Sequence, residues 1–216
     1  MPAGGWVVLA QDCWRGFGTA AALVLSVTAL HAALPTAPDV SGRTSLSGQL
    51  LIATELLDGS VFERTVVLMA QHGKSGALGI VINRPLGRRP IASLLEAFGA
   101  DASDITDSVR VFLGGPVDRA VGFVIHSADY RLQTTLDIDG RVALTAAADV
   151  LGDIGRGKGS SKSLVAFGYA GWASQQLDNE IARGDWYTAT EDPDLVFDDD
   201  RAKVWDDAMA RRKSDR

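Results

Sequence analysis

Residues 163–181, Ser-Leu-Val-Ala-Phe-Gly-Tyr-Ala-Gly-Trp-Ala-Ser-Gln-Gln-Leu-Asp-Asn-Glu-Ile, constrain the fold more than any other part of the chain, because they set a strand, a glycine corner and a helix in direct succession. Residues 164–167 form an apolar run of the kind a buried strand uses. Gly168 and Gly171 bracket Tyr169 and Trp172, so the backbone is expected to turn here with close approach or positive φ. Ser174 is expected to cap the helix that follows, Leu177 and Ile181 to face inward one turn apart, and Gly184 to stop it after Arg183. Glycines beside two large aromatics and a Gln-Gln helix start serve either as a packing corner or as a functional one.

A chain of 216 residues, 46% of them hydrophobic, buries a core of its own and accommodates one domain, alone or with a smaller lobe. All of the net charge of −6 lies after residue 46, since the charged residues before it, Asp12, Arg15, Asp39 and Arg43, cancel. An acidic body repels phosphates and anionic membranes unless a local basic patch overrides it, which argues against direct nucleic-acid binding. The single cysteine, Cys13, excludes an intrachain disulfide and a cysteine metal cluster. His72 and His126 lack ligand-like spacing, so no metal and no cofactor are expected.

Residues 1–45 differ from the rest. Residues 19–33 are a small-residue apolar run of signal-peptide length, too short to span a bilayer comfortably, so no stable membrane insertion is expected. The preceding segment is long, barely basic and carries Trp6 and Trp14. Two readings stand: an N-terminal extension, which leaves the protein cytoplasmic, or an exported protein whose residues 1–32 act as the signal. Residues 35–45, rich in Pro, Ser, Thr and Gly, read as a linker.

The organised domain is expected over residues 46–211, with 212–216 a basic tail. Residues 48–53, 65–70 and 77–82 read as strands, the last two joined as an antiparallel hairpin through a short glycine-containing loop. Asn83-Arg84-Pro85 ends the hairpin, and Pro90 opens a helix through Phe98. Residues 109–113 and 121–126 read as neighbouring, paired strands linked by Gly114-Gly115-Pro116. A short strand over residues 142–144, a helix capped by Thr145, an edge segment at Trp186-Tyr187, a brief strand over 195–197 and a terminal helix over 201–210 complete the body. This irregular order points to an α+β fold with a mixed, strongly curved sheet, a Rossmann-type fold being the weaker alternative.

Few chemical motifs survive. His72-Gly73-Lys74-Ser75 lacks the upstream glycine of a phosphate-binding loop, and residues 152–159 lack its hydroxyl residue. The six acids in residues 191–200 do not follow a calcium-loop order. His72 and His126 each end a strand, where a histidine anchors a loop or serves as a general base. The sharper signals are Asn83-Arg84-Pro85 and Gly114-Gly115-Pro116, because proline fixes where a strand must leave its sheet. Arg84 at such an exit either binds an anion or pairs within the chain.

Taken together, Gly48-Gln49-Leu50-Leu51-Ile52-Ala53, Phe62-Glu63-Arg64-Thr65-Val66-Val67, His72, the run Gly76 to Pro85, Gly114-Gly115-Pro116-Val117, Gly122-Phe123-Val124-Ile125-His126, and Gly168-Tyr169-Ala170-Gly171-Trp172 leading to Gln176-Leu177 and Glu180-Ile181 resemble the YqgE/AlgH family of small bacterial proteins. The resemblance covers residues 46–211, and it implies a cytoplasmic protein whose mixed sheet bends into a partial barrel flanked by helices. It implies no established enzymatic activity, and the AlgH name carries a proposed role in transcriptional regulation of alginate production.

The expected site is a cleft for a protein partner or small ligand, built where the strand exits converge: His72, Asn83, Arg84, Gly114, Gly115, His126, Tyr169, Trp172 and Gln176, with no catalytic or metal-binding residue among them. The expected role is regulatory and non-catalytic. Two alternatives belong to other classes: an enzyme using His72 or His126 as general base on a small anionic substrate held by Arg84, and a DNA-binding regulator.

Overall fold

Strand β9, Ser163–Ala173, is the spine of the molecule. The computed structural model describes residues 45–212. The readings made for residues 1–44 and for most of the basic tail lie outside the described residues. In chain order the other elements are β1 Gln49–Ala53, a single 3-10 turn at Glu55–Leu57, β2 Val66–Gly73, β3 Gly76–Val81, β4 Pro85–Pro90, α1 Ile91–Ala97, β5 Ser108–Leu113, β6 Val117–Ser127, β7 Leu136–Asp137, β8 Val142–Ala146 and α2 Ala147–Gly155. After β9 come α3 Gln176–Arg183, β10 Trp186–Thr190, α4 Pro193–Val196 and α5 Val204–Ala210.

The sheet runs β10-β1-β2-β3-β9-β6-β8-β7, with β4 and β5 branching from it. All pairings are antiparallel except β5 with β9. It curls into a half-barrel with helices around it, as the α+β expectation required. The branch arises because β9 pairs with two strands end to end along one edge. Leu113 of β5 reaches Phe167 from one direction, and Gly79 of β3 reaches Ala170 from the other. At the fork Gly168 takes φ +77°, and Gly114 and Gly115 lie directly on its backbone. A Cβ on Gly114 would stand 2.3 Å from the Gly168 carbonyl oxygen, and one on Gly115 would stand 2.1 Å from the Tyr169 carbonyl carbon.

Two apolar clusters stabilise the two halves. One gathers Leu51, Val67, Met69, Ala170, Trp172, Leu177 and Trp186. The other packs Ile91 and Leu95 of α1 and Val150 and Leu151 of α2 against Val124 and Val165. Each fully buried aliphatic side chain contributes about 1.5–3 kcal/mol by leaving water.

Several local readings are corrected. β5 and β6 do not pair with each other, because β9 lies between them. Pro85, read as part of a strand exit, and Pro90, read as a helix start, are the two ends of β4, and the helix begins only at Ile91. Gly168 does not end β9; the strand bends there and continues to Ala173. Ser174 does not cap α3: its hydroxyl donates to the Lys74 carbonyl, and Gln175, at φ +61°, is the cap position. Thr145 lies inside β8, and residues 195–197 belong to the α4 turn, which Asp192 caps by accepting from the Asp194 amide.

The free ends of the curled sheet, β7 and β10, are tied by side chains. Asp139, in the turn after β7, accepts from the Arg141 and Val142 amides, and Gly48 at the start of β1 packs against it. The Arg141 guanidinium lies 3.0 Å from Asp139 and 2.6 Å from the Glu191 carboxyl just after β10, and it also donates to the Glu191 carbonyl. Glu191 is wholly buried. Burial first, then the hydrogen bond it shares with Asp139 and the Asp139 charge, push its pKa up to about 8. Burial works against the Asp139 charge as well, but bonds from Glu191, the two amides and Arg141 hold its pKa down to about 2. The pair therefore carries one proton at neutral pH, on Glu191.

Gly114→Ala is expected to cost about 3 kcal/mol, read from urea unfolding, because a methyl there meets backbone on β9. The pH dependence of stability carries a second expectation. Glu191 holds a proton in the fold that the unfolded chain loses above its ordinary 4.5, so its contribution is full below that value and drains away as pH rises to about 8. Asp139 has the opposite sign and loses its contribution only as pH falls from 3.8 through about 2. Stability should thus fall between pH 5 and 8 by up to about 1.4 kcal/mol per pH unit, and Glu191→Gln should flatten that slope in denaturant titrations at several pH values.

Candidate functional site

The strand exits expected to converge do so at the fork. Val81, the last residue of β3, donates its amide to the Gly114 carbonyl at 2.8 Å, Leu113 donates to the Arg84 carbonyl at 2.8 Å, and Gly114 donates to the Phe167 carbonyl at 2.7 Å. These three bonds bring the segments holding Asn83-Arg84, Gly114-Gly115 and Gly168 into direct contact. Asn83 is the bracket that holds the exit in place. Its Oδ1 accepts from the Val66 amide and its Nδ2 donates to the Arg64 carbonyl, both at 2.9 Å, so the side-chain amide supplies a rung where the β2–β3 ladder ends.

Above the fork lies a shallow depression lined by Val61, Phe62, Thr65, Arg84, Gly115, Pro116 and Arg119, among others. Its water-accessible interior is about 20 Å³, room for one or two water molecules and far below the several hundred Å³ of a metabolite pocket. Two guanidinium groups border it. Arg84 donates to the Glu63 carbonyl, which positions it without neutralising it. Arg119 is exposed on β6 and has no carboxylate partner among the described residues. Val61, 67% exposed, adds an aliphatic rim beside these cations.

Trp172 and Gln176 lie beneath and beyond this surface, in a packed aromatic corner. Phe62, which lines the depression, stacks on Trp172 with ring centroids 6.5 Å apart and meets Trp186 edge-on at 5.4 Å. Both indole N–H groups donate to Glu180 Oε2, at 2.8 and 2.9 Å, and Gln176 donates to Glu180 Oε1. A half-buried carboxylate with three donors is a structural clamp, and Trp172 is only 4% exposed. Tyr169 is likewise buried, its ring edge-on to Phe123.

The histidines do not join the depression. His72 sits at the end of β2, where its Nδ1 accepts from the Leu46 amide at 3.2 Å and its Nε2 lies 3.8 Å from Asp178. His126 is fully buried in β6, with Nε2 2.8 Å from the Thr145 hydroxyl and Nδ1 3.0 Å from the Ser127 carbonyl oxygen. Burial pushes its pKa down. His126 stands opposite Ser163 at one end of β9, and His72 pairs with Ala77, which stands opposite Trp172 at the other end. At about 3.3 Å per residue the nine-residue interval spans roughly 30 Å along the strand. Arg84 is attached near its middle, roughly 13–16 Å along the strand from either end by the same measure. Neither imidazole is placed to act on an anion that Arg84 holds.

Sequence reasoning missed Arg119 and the Val61-Phe62 rim. Arg119 sits four residues after Gly115 in what reads as a loop, but β6 begins at Val117, with Asp118 at φ +41°. The turn chemistry of Gly114-Gly115-Pro116 was the signal that a projecting ribbon starts there.

Comparison with known proteins places this geometry among relatives. A family model described as AlgH-like matches residues 50–216. A UPF0301 protein of Methylococcus capsulatus is 41% identical over 168 residues, which are 78% of this chain and 92% of that protein. A UPF0301 protein of Jannaschia sp. is 42% identical over 166 residues, 76% of this chain and 86% of that one. The solution structure of AlgH from Pseudomonas aeruginosa is similar with a TM-score of 0.66 at 33% identity, covering 83% of this chain and 92% of that chain. A crystal structure from Corynebacterium diphtheriae, at 21% identity and a TM-score of 0.59, shares the fold, covering 77% and 86%.

Asn83→Ala is expected to cost about 1–3 kcal/mol in chemical unfolding, since it leaves the Val66 amide and the Arg64 carbonyl without their partner at the lip of the depression.

Proposed function

The chain belongs to the AlgH-like family, and from that premise we propose that it is a regulatory protein that acts by binding a protein partner, with acidic groups of the partner seated in the depression above the fork. The observation that carries this reading is the pair of arginines, Arg84 and Arg119, that border one shallow surface on a protein of net charge −6. An exposed guanidinium is planar, permanently charged and shaped for two-point contact with a carboxylate. Val61 and Pro116 give the same surface apolar contact area, which protein interfaces combine with arginine. The small interior favours a single inserted side chain of a partner over an enclosed metabolite.

The reading is non-catalytic because the groups that accept and donate protons elsewhere are committed to structure. His126 is locked between Thr145 and Ser127, and the Glu180 carboxylate between two indoles and Gln176. A cytoplasmic location belongs to the same proposal; no helix among the described residues is long and apolar enough to cross a membrane.

The test is affinity co-purification from cells that make this protein, comparing wild type with Arg119→Glu and with the Arg84→Ala/Arg119→Ala pair. Proteins retained by wild type should be lost from both variants by about tenfold or more, as expected when central interface arginines are removed, while the thermal midpoint of Arg119→Glu stays at the wild-type value. Undiminished retention by both variants would remove the depression as the binding site.

A further inference from the structure

A second cationic surface lies on the outer face of β4 and β5. β4 pairs with β5 alone, and its six residues are all exposed. Arg88 stands directly opposite Arg110 in the register. Gly114 turns its amide toward β9 and Leu113 turns its amide toward the β4 side, so Arg110, in step with Gly114, has its ladder groups on β9. Arg88 and Arg110 are therefore a non-hydrogen-bonded pair, the kind in which facing side chains come closest, and like charges so placed repel.

Arg201 adds a third cation on the same side. Its guanidinium lies 5.0 Å over the ring of Phe112, two residues from Arg110 on the same face of β5. It donates to the Val196 carbonyl, and its buried Nε has no hydrogen-bond partner among the described residues. Burial and then the nearby charge of Arg110 push its pKa down. Against these three cations the chain sets Asp199, whose carbonyl accepts from Arg110 at 3.1 Å and whose carboxylate, on a side chain 98% exposed, lies 3.4 Å from it, with the charges of Asp198 and Asp199 felt at Arg201. Arg88 itself donates to the Ser108 carbonyl. A contact as exposed as that of Asp199 is weak and readily exchanged.

We propose that the row Arg88, Arg110 and Arg201 docks an acidic extended segment of a protein partner, and that Asp199 is the internal counter-ion such a segment displaces. The inference rests on the partner-binding reading above but uses none of the residues of the depression. Charge complementarity carries it: three guanidinium groups, two of them forced together by strand register, share too little negative charge of their own. The exposed neighbour at the β4 bulge is aliphatic, Leu86 at 52% exposure, which suits the apolar residues of a peptide. It is not the aromatic stacking platform that single-stranded nucleic acid uses.

The experiment is fluorescence anisotropy of the full chain at low salt with a fluorescein-labelled decapeptide of alternating Asp and Val. A Lys-Val decapeptide and an oligothymidylate of equal charge serve as comparisons. With the depression removed from competition by the Arg84→Ala/Arg119→Ala pair, Arg88→Glu is expected to weaken the acidic peptide about tenfold, and Asp199→Asn to tighten it about threefold, while Lys158→Glu, an exposed charge reversal outside both surfaces, leaves it unchanged. Unaltered affinity in Arg88→Glu, or no gain in Asp199→Asn, overturns the proposal. So does an equal loss in Arg88→Glu and Lys158→Glu, which would reduce the effect to net charge, and so does oligothymidylate binding as tight as the peptide. Failure here leaves the depression standing, and the Arg84/Arg119 variants failing leaves this row standing.

Discussion

The contact on which the molecule depends is backbone against backbone, where Gly114 and Gly115 lie on Gly168 and Tyr169. β9 can serve β3 and β5 on the same edge only if one strand ends where the other arrives, and there is no room at that point for a side chain. Gly168 turns to φ +77° so that one strand continues past the change of partner. Everything functional in the candidate site follows from this junction. The β3 exit carries Arg84 to it, the β5 exit leads directly into the ribbon that carries Arg119, and Phe62 closes it from β2's approach.

A branched sheet that curls still has two ends, and these are joined through charge instead of a ladder. The ends meet where the buried Glu191 carboxyl adjoins the more exposed Asp139 and one guanidinium, a costly arrangement unless Glu191 holds a proton. The proton on Glu191 keeps it neutral at the end of β10 and leaves the charge on Asp139 to hold the turn after β7.

How much of this is legible in the sequence follows from what each residue type demands locally. The β2–β3 hairpin, the helix ended by Gly184 and the positive φ at Gly168 are read correctly because turns and caps impose requirements within a few residues. β4 is unreadable for the converse reason: Pro-Leu-Gly-Arg-Arg-Pro has neither alternation nor β-branching, and it becomes a strand only because β5 offers an edge. The expectation that β5 pairs with β6 fails because sequential neighbours usually pair, whereas here β9, some forty residues later in the chain, inserts between them. Thr145 looks like a cap but is held in β8 by His126 and Thr135, partners that only tertiary structure supplies. In the site, Asn83, Arg84, Gly114 and Gly115 come together as their turn chemistry suggests, whereas His72 and His126 are drawn to opposite ends of β9 because strand position, not residue type, decides which pocket a histidine sees.

The same logic bears on why arginines concentrate around the β4–β5 branch of an acidic protein. A branch strand has one paired edge and one open edge, and an open edge invites indiscriminate pairing unless it is blunted. Pro85, Pro90, the bulge between Pro85 and Gly87, and the row of cations all blunt it against copies of apolar strands. Blunting by charge differs from blunting by proline in one respect: a cation that repels most strands attracts the few that are acidic. Protection of the edge and selection of a partner are then one property, and the mutual repulsion of Arg88 and Arg110 that protection tolerates is the energy an acidic segment relieves on arrival.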